Sequence, residues 1–81
     1  MMITQAEAEA LAKKHLQDYV NACGCDTTED VANALMKMAS LCGLFMCATV
    51  GQDEAVARLE GTAAFIAKPE IGANWKSEIV Q

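Results

Sequence analysis

Aromatic residues are scarce in this chain: Tyr19, Phe45, Phe65 and Trp75 are all it has. Pro69 is its one proline, His15 its one histidine and Arg58 its one arginine. Lys13, Lys14, Lys37, Arg58, Lys68 and Lys76 lie scattered rather than in a run. The basic stripe that would release counterions from a nucleic acid is therefore missing, and direct nucleic-acid binding is not expected. With eleven acids against six bases the net charge is −5, which also opposes an anionic membrane surface. The sequence lacks a glycine-rich phosphate loop, a nucleophile elbow, an H-E-x-x-H helix and a C-x-x-C pair. No catalytic residue, metal ligand or cofactor is assigned from it, and the expectation is a protein that is not an enzyme. At the N-terminus no basic region precedes an apolar run, so no secretory signal is read. The longest uncharged stretch, residues 38–52, falls short of the roughly 20 residues that a membrane span needs. A cytoplasmic protein with reduced thiols and no membrane partner is the resulting expectation.

What the chain does have is alanine, leucine and methionine, within a 53% hydrophobic composition over 81 residues. These residues lose little side-chain entropy in a helix, and β-branched residues are few. The pattern predicts one all-α domain over residues 1–81, with helices at about 5–23, 28–50 and 53–67 and a tail over 68–81. Thr4 followed by Glu7 has the spacing of a capping box, and Thr27 with Asp30 repeats that opening. Gly24 and Gly51 supply stops, and Pro69 closes the third helix. At helical period Ala8, Leu11, Ala12, His15, Leu16, Tyr19 and Cys23 share one face of the first helix. Val56, Leu59, Ala63 and Ile66 do so on the third, with Gly61 and Phe65 turned away. Tight turns between the helices suggest a small antiparallel three-helix bundle, or a helical hairpin plus an N-terminal helix.

The second helix is amphipathic at first, with Glu29, Asp30, Asn33, Lys37 and Ser40 on a polar side. After Ser40 that side becomes apolar, through Leu44, Cys47 and Ala48. A helix apolar all round must be covered all round, and two neighbours leave part of it open. The chain is therefore expected to form a homo-oligomer. Leu44, Phe45, Met46 and Ala48, with Phe65 and Trp75, are the candidate partner or oligomer contacts. Ala39, Gly43 and Cys47, small residues four apart, would admit a second helix closely. The competing arrangement lays the tail, with Ile71, Trp75 and Ile79, across the same patch.

The remaining polar chemistry has plain structural readings. Cys23, Cys25, Cys42 and Cys47 have intervals that suit zinc poorly, since Cys42 and Cys47 point about 140° apart on a helix. They read as small buried apolar side chains. His15 lies about 12 Å along the helix from Cys23, too far for a catalytic pair, and reads as a boundary residue packed on Tyr19. Asp26, Thr27, Thr28, Glu29 and Asp30 cap a helix and lack the spacing of a calcium loop. Met36, Met38 and Met46 at helical spacing read as core.

In size, acidity and helicity the chain resembles the short accessory proteins of phages and mobile elements. That resemblance implies a non-enzymatic protein that binds, and inhibits, a larger complex such as a host defence system, its acidic faces meeting a basic protein partner. Two alternatives stand beside it: an oligomeric binder of a small ligand such as a nucleotide, and a cysteine-based metal or redox protein.

Overall fold

In a computed structural model the chain is helical, and no strand occurs among the described residues, which are 2–73 and Trp75. Helix α1 spans Gln5–Cys23, α2 spans Thr28–Val50 and α3 spans Gln52–Ile66, followed by a π-helical turn, Pro69–Ala73. The part of the tail holding Ile79 lies outside the described residues.

Local chemistry sets where each helix begins and ends. Thr4 Oγ1 accepts from the Glu7 amide at 3.1 Å, and Glu7 Oε1 accepts from the Thr4 amide at 3.1 Å, a reciprocal capping box. Gly24 stops α1 in the left-handed region at φ 66°, its amide donating to the Asn21 carbonyl at 3.2 Å. At the start of α2, Thr27 Oγ1 accepts from the Asp30 amide at 3.0 Å, and Asp30 Oδ2 accepts from the amides of Asp26 and Thr27. Between α2 and α3 stands Gly51 alone, at φ 94°. Its amide donates to the Cys47 carbonyl, and its own carbonyl accepts from Ala55. At the far end of α3 the Ala67 amide donates to Ala63, and Pro69 opens the π-turn, where the Lys68 carbonyl accepts from both Ile71 and Gly72.

The chain divides into two compact units, one within residues 2–36 and the other within 37–75. The first holds α1 and the opening of α2. Tyr19 Oη donates to the Ala34 carbonyl at 2.8 Å, which ties the end of α1 to the opening of α2 across the turn between them. Val20 is 1% exposed, and Lys13, Leu16, Gln17 and Tyr19 are half-buried around it. The buried face of α1 thus runs Lys13, Leu16, Gln17, Val20, a helical i, i+3, i+4, i+7 series. This corrects the expected face: Ala8, Leu11, Ala12, His15 and Cys23 are exposed. Lys13 and Gln17 are half-buried although their polar ends engage Glu9 and Asn21, and long polar side chains of this kind can bury their stems where a hydrophobic wheel scores them as outward. Glu9 and Lys13, at 3.5 Å, and Lys14 and Asp18, at 2.9 Å, pair along the solvent side.

In the second unit the end of α2 lies against α3. Gly43 is buried, and a side chain there would begin 2.8 Å from Leu59 Cδ1. Gly43 and Leu59 lie eight residues before and after Gly51, so the end of α2 and the middle of α3 meet across that turn. Ala55 is 1% exposed and is the closest-packed residue of α3. The inner face of α3 is therefore Ala55 and Leu59, and Val56 and Ile66 are exposed. Ala55, rather than the larger Val56, is the residue that this helix buries. Gly43 does admit a helix closely, and that helix is α3 of the same chain.

Candidate interaction surface

Among the described residues, Val20 and Ala55 are the only buried apolar side chains, so most of their hydrophobic surface is open. Its densest part is on the second half of α2. Around that helix Gly43 faces α3, and half-buried Met46 and Cys47 flank it. Leu41, Leu44, Phe45 and Ala48 fall on the opposite side in i, i+3, i+4, i+7 order, and all four are exposed. Leu44 is 65% and Phe45 72% exposed. Lys37, the only charged residue of α2 beyond Asp30, precedes the stripe by one turn on the same side.

Of the six candidate contact residues, the structure brings Leu44, Phe45 and Ala48 together, and Met46 lies on the α3 side. Phe65, on the unit's other helix, is exposed with the Lys68 ammonium 5.8 Å from its ring centre. Cation and ring attract at that distance, which gives Phe65 a local partner. Trp75 is 65% exposed. Leu41 was not among the candidates, although its place one turn before Leu44 and Phe45 marks it.

The polar groups are arranged for capping and solubility. All four thiols are free, with Cys25 and Cys47 half-buried and Cys23 and Cys42 exposed, so none is the buried small residue that the sequence suggested. Desolvation pushes the Cys25 thiol up, and the charges of Cys23, Asp30 and Asp26 push it the same way. It stays protonated and correspondingly unreactive. The Tyr19 hydroxyl is also raised, by desolvation first, then by the neighbouring charge of and hydrogen bond to Cys23, with a further contribution from Cys25. Glu7 moves the other way, held low first by the Thr4 amide and then by the Thr4 hydroxyl. His15 is exposed rather than packed at a boundary. Among the described residues no group of three or more His, Cys, Asp or Glu could share a metal ion.

By length and composition α2 could cross a membrane: its best 18-residue window has a mean hydropathy of 1.5, and 6% of that window is buried within the chain. The uncharged stretch understates this helix, because Lys37 is its single interruption after Asp30. No family model, curated protein or solved structure matches this chain.

Proposed function

We propose that this chain is a non-enzymatic interaction protein whose working surface is the open stripe Leu41, Leu44, Phe45 and Ala48. The observation that carries this reading is the exposure of two large apolar side chains, Leu44 and Phe45, side by side on a regular helix. Contiguous apolar surface of this kind on a small domain marks a place where another molecule sits. The excess of acids supplies the second half of the reading: the solvent faces of α1 and α3 suit a basic protein surface, such as one that otherwise holds nucleic acid. Occupying such a surface would inhibit the larger complex that owns it. We place this activity in the cytosol, where four free thiols persist.

Affinity capture with the wild-type chain and with Leu44→Glu tests the proposal. A bound protein recovered by the wild type and released from the variant supports it. Equal recovery by both removes the stripe from the function.

A further inference from the structure

The stripe can be matched to an occupant by its own pattern of size and charge. We infer that a second copy of this chain packs on it, antiparallel, with the two-fold axis between Leu44 and Phe45. This rests on the reading of the stripe as an interaction surface and assigns its first partner.

The order of side chains supports that register. With the axis between Leu44 and Phe45, each Leu44 meets the other copy's Phe45, and each Leu41 meets the other copy's Ala48. A large residue thus faces a small one at both ends, and the two largest meet at the centre, the interdigitation that close helix packing requires. The same register carries Lys37 of each copy just past Val50 to the Gly51 turn of the other, the end at which Asp53 and Glu54 open α3. Asp53 and Glu54 form the acidic first turn of α3. A parallel pairing would instead set Lys37 against Lys37. Opposite charges at both ends of a symmetric contact favour one orientation and penalise the other.

The area comes close to what such a pair needs. Leu41, Leu44 and Phe45 together leave roughly 350 Å² open per copy, taking an aromatic side chain as 150–250 Å² and a leucine as somewhat less. A symmetric pair removes about twice that before Lys37, Ala48 and Gln52 are counted, which approaches the ~1,000 Å² of a specific interface.

Lipid is the competing occupant, since α2 is long and apolar enough to span. Three features disfavour it. Lys37 sits within the window, and both ends of α2 are acidic, with Glu29 and Asp30 at one and Asp53 and Glu54 beyond the other. Spanning helices carry lysine or arginine and aromatic anchors at their ends instead. The third is α3, packed on α2 at Gly43, which would bring Asp53, Glu54, Arg58 and Glu60 into the hydrocarbon with it.

Light scattering on the eluting full-length chain at micromolar concentration is the first test. An even number of chains is expected for the wild type and one chain for Leu44→Glu, with circular dichroism checking that the variant stays helical. Ala48→Glu gives the same readout from the edge of the stripe if Leu44→Glu misfolds. Lys37→Glu weakens self-association about tenfold, because the repulsion occurs twice by symmetry. Lys37→Glu combined with Asp53→Lys and Glu54→Lys restores it. A wild-type mass of one or three chains overturns the inference, as does a triple variant no better than Lys37→Glu alone. Flotation of the wild type with anionic or zwitterionic vesicles, lost in Leu44→Glu, overturns it in favour of lipid. A one-chain mass together with a captured protein that Leu44→Glu releases overturns the second copy and leaves the interaction reading standing.

Discussion

Gly43 and Leu59 are the pair whose contact decides how α2 and α3 lie together, and a double-mutant cycle measures it. Gly43→Ala adds a methyl 2.8 Å from Leu59 Cδ1, well inside the ~3.5–4.0 Å at which two carbons attract. In an isolated helix the same change stabilises by about 1 kcal/mol, through the lower entropy of the unfolded chain. The overlap opposes this. Leu59 is 40% exposed, so its side chain can swing outward, losing packing that we put at about 1–3 kcal/mol. Gly43→Ala in the wild-type background should then fall between neutral and about 2 kcal/mol destabilising. In a Leu59→Ala background the obstruction is gone, and the helical gain of about 1 kcal/mol should appear alone. The coupling energy expected is about 1–3 kcal/mol. Urea unfolding followed by circular dichroism supplies it, with all four proteins at one concentration, since any self-association would shift apparent stability. If Gly43→Ala has the same effect in both backgrounds within about 0.5 kcal/mol, the two residues do not touch and the packing of α3 on α2 is wrong.

Other perturbations read the remaining contacts. Val20→Ala should destabilise by about 2 kcal/mol and Leu11→Ala by less than about 0.5 kcal/mol, as measured by urea unfolding, because Val20 is buried and Leu11 is exposed. Equal effects would restore the face that the sequence suggested. Thr4→Ala should cost about 1 kcal/mol through loss of the cap. Glu7 has a folded pKa below its ordinary value, so its contribution is present above that value and is lost as pH falls through the lowered one. Glu7→Gln, which keeps an acceptor for the Thr4 amide without the charge, should flatten the acid side of the stability profile; an unchanged slope would contradict this. Tyr19 is the only tyrosine, so its phenolate absorbance reports one site. Its midpoint should lie above the ordinary tyrosine value and fall on Cys23→Ser, and stability should decline as pH rises from the ordinary value through the raised one. A midpoint unmoved by Cys23→Ser would separate the two groups.

Helix starts and stops were legible because their causes are local. Thr4 and Glu7 satisfy each other three residues apart, and Gly24 and Gly51 take positive φ where other residues strain. The direction each helix faces was less legible, because it depends on the partner. On α1 the wheel chose Leu11 and His15, and the fold chose Val20 flanked by Lys13 and Gln17, whose alkyl stems a polarity scale does not count. On α3 the wheel weighed Val56 above Ala55, yet Ala55 is the one that the fold buries. Gly43 was recognised as a place for close approach, but its spacing with Ala39 and Cys47 says nothing about which helix comes. Leu44, Phe45 and Ala48 could be read as surplus from the loss of polar residues after Ser40. The absence of Leu41 and the inclusion of Met46 reflect a boundary drawn by position along the helix instead of angle around it.

A reversal that rests on Gly51 alone has a consequence for the history of each molecule. On either side stand a 23-residue helix and a 15-residue helix, and the positive φ at Gly51 is the one backbone break between them. A chain synthesised with any helix-favouring residue at 51 has the straight rod within reach. Its bared Gly43 surface is then complementary to the Ala55 and Leu59 of any neighbour in the same condition. Two such rods would trade halves, each completing the other's hairpin, and the exchange would be remembered for as long as the rods stayed paired.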